Sequence, residues 1–161
     1  MATTSKMKPQ PAQPKVATTL TGTMTSKHEI TFFLPFAPIP SPRPQARVIG
    51  KFASFYMPKA YMDWKRAVAD YVYQQVQHTP SELLEAPVEV TAEYIVTPPK
   101  TTKLSFPKPD LDNYEKSLLD ALSMATTIWK DDTQVHQMLS SKRWAAEGEE
   151  TGMSVRLIFG R

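Results

Sequence analysis

Between Pro107 and Gln134 the chain concentrates the groups that could do chemistry. Asp110 and Asp112 stand one residue apart, followed by Asn113 and, one helical turn beyond Asp112, by Lys116. Asp131 and Asp132 follow within Trp129-Lys130-Asp131-Asp132-Thr133-Gln134. Taken alone, Asp112 reads as a helix cap, with Glu115 three residues on completing a capping box. Lys116 and Asp120 would then extend a surface ion-pair ladder worth about 0.2–0.5 kcal/mol per pair. Together the groups read differently. On a helical wheel Asp112, Asn113, Lys116 and Asp120 share one arc, and Tyr114, Leu118, Ala121 and Leu122 take the opposite one. Asp110 adds a carboxylate on the entering loop, and Asp131-Asp132 adds two more beside the apolar anchor Ile128-Trp129. Gathered carboxylates repel, and a divalent cation relieves the repulsion most directly. The chain has no cysteine, and its three histidines (His28, His78, His136) show no ligand spacing. The ion must therefore be held by oxygen, which favours Mg2+ with Mn2+ as a substitute. Such an ion activates water and stabilises charge at a phosphoryl centre. Lys116 would add a fixed positive charge at the scissile phosphate. The pattern points to a metal-dependent nuclease.

The elements that must position these groups follow from pattern. Ile30 to Leu34 alternates as a first strand, and Val48 to Tyr56, with Gly50 near its start, reads as a strand or hairpin ending at Pro58. Between them Pro35, Pro38, Pro40, Pro42 and Pro44 fix an extended segment, which reads either as a rigid connector or as a stiff arm presenting Arg43 and Arg47 to phosphates. Lys59 to Gln77 is predicted helical, with Tyr61, Trp64, Val68, Tyr71, Val72 and Val76 on one face. Val88 to Val96 alternates cleanly as a strand; Pro98-Pro99 ends it, and a basic loop runs from Lys100 to Lys108. A second helix is expected from Asp112 to about Leu122, then strands over Val135–Ala145 and Met153–Phe159. The resulting fold class is α/β: a single mixed α+β domain, with a small mixed sheet and two main helices.

With 161 residues the chain suits one domain with a tail. Residues 1–27 are Thr, Lys, Pro, Gln and Ser with little apolar content, and are expected to be a disordered basic tail. Residues 28–161 form the expected domain. The net charge of +3 is mild, but its distribution is uneven. Bases predominate from Ser41 to Arg66, and acids predominate from Asp110 to Glu150. A basic half beside an acidic cluster fits a polyanion binder with a metal site. No apolar run approaches the about 18 residues of a membrane span, and no signal-peptide core stands at the N-terminus. The expectation is a soluble, cytoplasmic protein without a membrane partner.

The run Lys108-Pro109-Asp110-Leu111-Asp112-Asn113-x-x-Lys116, then Leu119-Asp120-Ala121-Leu122, then Trp129-Lys130-Asp131-Asp132-x-Gln134, resembles the signature of the RusA family of Holliday junction resolvases. Pro38-x-Pro40-x-Pro42-Arg43-Pro44-x-x-Arg47 and Tyr56-x-Pro58 are similar to that family's N-terminal basic loop and its approach to the first helix. The resemblance implies a small homodimeric, magnesium-dependent endonuclease of DNA recombination and repair, from a bacterial or phage-infected cell. Its substrate would be branched DNA, a four-way junction nicked symmetrically. Asp110, Asp112 and Asp132 would be the catalytic metal ligands and Lys116 the accessory catalytic lysine. Asn113, Asp120 and Asp131 would support the site. Arg43, Arg47, Lys51, Lys103 and Lys108 would bind DNA backbone. The Ser123–Thr127 connection departs from the family pattern in lacking an Asn-Gly turn. Two further readings remain open at this point: a nuclease for flaps or forks, and a non-catalytic junction-binding module.

Overall fold

The computed structural model describes residues 27–160. The expectation for the N-terminal tail therefore lies, Lys27 apart, outside the described residues. Six strands and two helices follow in the order β1 (His28–Leu34), β2 (Gln45–Ile49), β3 (Phe52–Tyr56), α1 (Lys59–Gln75), β4 (Val88–Val96), α2 (Leu111–Ala125), β5 (Val135–Trp144) and β6 (Gly152–Phe159). Short 3-10 turns stand at Ser81–Leu83 and Asp132–Gln134. The expected mixed α+β architecture is the one observed.

The main sheet has the order β1-β6-β4-β5. β6 pairs antiparallel with both β1 and β4, whereas β4 and β5 run parallel. Parallel neighbours cannot be joined by a tight hairpin and need a crossover, and α2 is that crossover. Alternation in the strands places Ile30 and Leu34, Val88 to Tyr94 at every second position, and Met153, Val155, Leu157 and Phe159 on one face, all buried. Against that face pack Val68, Ala69 and Val72 of α1, and Tyr114, Leu118, Ala121 and Leu122 of α2. Spacing of three, four and seven residues produces both helical stripes. The helices also pack on each other. Tyr94 stacks on Tyr114, ring centroids 5.3 Å apart, between the sheet and α2. The opposite sheet face is open: Thr31, Thr91, Glu93, Ser141, Ser154 and Arg156 line a shallow hollow of about 450 Å³. Among the described residues no helix is long and apolar enough to cross a membrane.

Helix α1 stops two residues short of the expected Gln77, because Val76 turns to extended backbone and buries its side chain in the core. Helix α2 runs three residues past the expected Leu122 and is ended by Thr126 at φ 60°, ψ 7°. That left-handed conformation is the one Gly or Asn would adopt at a helix terminus. The connection that lacks Asn-Gly thus makes a glycine-type stop with a β-branched residue, at a steric cost of about 1–2 kcal/mol. Beyond it Ile128 and Trp129 are buried, and the Trp129 indole donates to Ser123 Oγ at 2.8 Å. The apolar pair thereby pins the chain as it leaves α2.

At the far end of the sheet Arg143 bridges two acids. Its Nη1 and Nη2 donate to Glu149 at 2.7 Å each, and its Nε donates to Glu93 at 2.9 Å. The Arg143 guanidinium, with help from the Ala146 amide, holds the Glu149 carboxyl at about 2 against its ordinary 4.5. A depressed folded-state value stabilises the fold above the unfolded value and loses that contribution as pH falls through the folded one. Thermal unfolding followed from pH 7 downward should show a loss between pH 4.5 and about 2 that is flattened in Glu149→Gln. Thr126→Gly should raise stability by about 0.5–1 kcal/mol, read as a higher urea midpoint at unchanged slope.

Candidate metal and nucleic-acid site

Helix α2 carries the first pair of carboxylates at its N-terminus. Asp110 occupies the cap position with extended backbone, yet its side chain makes no capping hydrogen bond. Asp112 lies in the first turn and is exposed. The capping box expected of Asp112 and Glu115 does not form, because the cap is two residues earlier and Glu115 is instead hydrogen-bonded by Ser140 Oγ of β5. Two carboxylates at this end are favoured by the helix dipole. The Lys142 ammonium, also from β5, is hydrogen-bonded to the Pro109 carbonyl and fixes the loop that delivers Asp110. The Asn113 carbonyl accepts from the Ser41 amide at 2.8 Å. This bond ties the proline-rich segment to the first turn of α2.

One turn on, Lys116 Nζ lies 3.6 Å from Asp120 and stays largely exposed. Asp120 is also within 3.4 Å of the buried Tyr61 hydroxyl of α1. Asp120 thus stands between a helix-helix contact and an ammonium.

The second pair of carboxylates divides its roles. Asp131 caps the 3-10 turn: its Oδ1 accepts from the Thr133 amide at 2.8 Å. Hydrogen bonds from the Thr133 side chain and amide hold its carboxyl below the usual range. Gln134 completes a capping box, accepting from the amides of Lys130 at 2.9 Å and Asp131 at 3.1 Å. Its Nε2 donates to the Leu84 and Ala86 carbonyls at 2.9 and 2.8 Å. The side-chain oxygen of Gln134 thus closes the turn, and its nitrogen ties that turn to the segment before β4. Asp132, half-buried, follows directly on the capped residue. Gln134, Lys142 and Tyr61 were not singled out by the sequence pattern as site residues. The Asp-x-x-Gln spacing of a capping box and the alternation of Ser140 and Lys142 in β5 were the available signals.

The two pairs do not meet within one chain. Helix α2 has 15 residues, about 22 Å at 1.5 Å each, with Asp110 and Asp112 at its start and Asp131 and Asp132 beyond its end. Register agrees. Val135 pairs beside Val88 at one end of β4, and Lys142, which reaches Pro109, beside Tyr94 toward the other. Accordingly, no group of three acids or histidines positioned to hold a metal occurs among the described residues.

The five basic residues expected to bind DNA are all exposed. Lys103 and Lys108 are exposed on the loop before α2, and Leu104 of that loop is fastened by the Trp144 indole at 2.8 Å. Arg43, Arg47 and Lys51 are exposed on the proline-rich segment and the β2–β3 hairpin. Gln134→Ala would leave two carbonyls and two amides without their side-chain partner, and should cost about 1–3 kcal/mol in denaturant unfolding. Asn113→Ala should cost less, since the bond to Ser41 uses its main chain.

No curated protein matches the chain significantly. The family profile described as Endodeoxyribonuclease RusA matches residues 35–157. The match runs from the proline-rich segment through α1, the β4-α2-β5 crossover with its two acidic ends, and most of β6. The chain belongs to the RusA family of endodeoxyribonucleases.

Proposed function

We propose that the protein is a homodimeric, magnesium-dependent, structure-selective endonuclease that resolves four-way DNA junctions by paired symmetric nicks. Membership of the family supports a junction-resolving nuclease function in general. The observation that carries the finer reading is the pair Asp110 and Asp112 at the positive end of α2, with Asp132 presented at its opposite end. The donor chemistry fits magnesium, which takes one or two carboxylates and completes its shell with water and phosphate oxygens. Bound there, the ion would supply Lewis-acid activation of water and charge stabilisation at the phosphoryl oxygens.

The chain's own residues would do the rest. Asp110 and Asp112 provide oxygen ligands on a rigid helix end. Lys116 offers an ammonium to the scissile phosphate, paired with Asp120. Arg43, Arg47, Lys51, Lys103 and Lys108 hold flanking phosphates. Because α2 separates the carboxylate pairs, a three-carboxylate site would take Asp132 from a second copy, and two-fold symmetry would then build two equal sites at once. Symmetric nicks follow naturally from such an assembly.

The test is strand-resolved cleavage of a synthetic four-way junction beside linear duplex, flap and fork. Asp112→Asn and Asp132→Asn should each lower cleavage by about 100-fold or more. Mixing these two inactive proteins should restore nicking of one strand, because one mixed-dimer site combines both lesions and the other is intact. Recovery is impossible if each site is built within one chain. Nicks spread over flap and fork would move the substrate to other branched DNA. Tight junction binding with no cleavage in magnesium or manganese would leave a binding module. Each phosphate-contacting cation removed should reduce the salt slope of binding by about 0.9.

A further inference from the structure

The β2–β3 hairpin is an element without a core. Every residue from Arg43 to Tyr56 is exposed, including Val48 at 74%, Phe52 at 80% and Phe55 at 71%. An isolated two-stranded hairpin is at best marginally stable in water, and single protruding aromatics forgo the burial that makes them worth having. Its turn is nevertheless well specified. Gly50 stands at φ +65° at the first position of a two-residue connection between Ile49 and Phe52, the place a II′ hairpin turn assigns to Gly. The register sorts the side chains. Ile49 with Phe52, Arg47 with Ser54 and Gln45 with Tyr56 share one face. Val48 with Ala53 and Ala46 with Phe55 share the other.

Charge selects the occupant. No acid occurs between Glu29 and Asp63, while Arg43, Arg47, Lys51 and Lys59 do. A second copy docked on the same hairpin would set these cations against one another. Nucleic acid reverses the sign of that interaction, since phosphates take the cations and base faces take the aromatics. A continuous duplex hides its base faces in the stack; a branch point interrupts the stack and offers them. Position agrees with this choice. The hairpin is rooted by Ser41 on the first turn of α2, beside Asp112, and on its other side runs into α1, whose Tyr61 meets Asp120. Five-residue strands carry the tip roughly 17 Å from that root, a span of a few base steps.

We propose that the Gln45–Tyr56 hairpin is a stacking wedge: Ile49 and Phe52 enter the branch point and cover bases that unstack there, while Arg47 and Lys51 hold the adjoining phosphates. The ligand rests on the junction-nuclease reading above. Apolar side chains inserted between base steps are a general means of holding DNA deformed.

The experiment uses the full chain with calcium replacing magnesium, so that binding is read without cleavage. A four-way junction carries 2-aminopurine at the branch point, and a linear duplex of the same length carries it at its centre. Wild type should bind the junction in preference to the duplex and change the branch-point fluorescence. Ile49→Ala/Phe52→Ala should lower junction affinity about 10-fold or more, leave duplex affinity within about twofold, and abolish the fluorescence change. Its unfolding midpoint should match wild type, because neither side chain touches the core, and Phe52→Trp should retain the wild-type response. A double variant that keeps wild-type junction affinity and fluorescence overturns the wedge and leaves the nuclease reading intact. Equal loss on duplex and junction overturns it too, reducing the hairpin to a general contact. A change in oligomeric state of the double variant by sedimentation would assign the hairpin to a second copy instead. Wild type that neither prefers nor cleaves the junction would sink the nuclease reading, and the wedge with it.

Discussion

Parallel pairing of β4 with β5 is the constraint on which the rest of the structure depends. Two strands that point the same way must be joined by a segment that travels back the full length of the sheet. Helix α2 makes that journey. Its buried stripe supplies part of the core, so its position is fixed by hydrophobic packing against the sheet. Its exposed arc, and the loops at its two ends, carry nearly every residue with chemical potential. The candidate site is thus placed by how the crossover must run, with β5 supplying Lys142 and Ser140 to steady the incoming loop and first turns.

The two ends of α2 are steadied by different means. At its start the bonds come from neighbouring strands and from the proline-rich segment, and leave the side chains of Asp110 and Asp112 uncommitted by the cap. At its end a buried Trp129 and the Gln134 latch fix the turn, and one of two adjacent acids is consumed as a cap. A carboxylate that caps a turn gives its lone pairs to amides. Division of labour between Asp131 and Asp132 follows from that competition.

Much of this was legible in the residues. Alternation marked β4 to the residue, because one of its faces is buried from Val88 to Tyr94 and the opposite one is mostly not. The stripes of α1 and α2 were likewise visible at helical spacing. The hairpin was only half legible: a strand or hairpin was expected from Val48 to Tyr56 with Gly50 near its start, whereas β2 begins at Gln45 and Gly50 sits in the turn, and nothing in the pattern said that both faces would be bare. Taken alone, Asp112 offered a capping box, whereas that device operates at Asp131; local spacing suited both, and tertiary bonds from Ser140 and to the segment at Leu84 separate them. Closeness in sequence made the four carboxylates look like one cluster. The helix predicted between them already implied a long separation, since an axial rise accumulates with every residue.

Helix α2 can therefore be regarded as a ruler. Its length sets how far the Asp112 end stands from the Asp132 end in each subunit. In the proposed two-fold assembly the same length would set the spacing of the two symmetry-related sites. Inserting a turn would add about 5.4 Å to that interval, but no whole number of residues completes a turn of 3.6, so the buried stripe would also rotate against the sheet. The DNA of the proposed function would add its own limit, since phosphates come at fixed intervals along each strand. In the proposed dimer the length of α2 would thus be limited twice, by the sheet it spans and by the spacing of the two cuts.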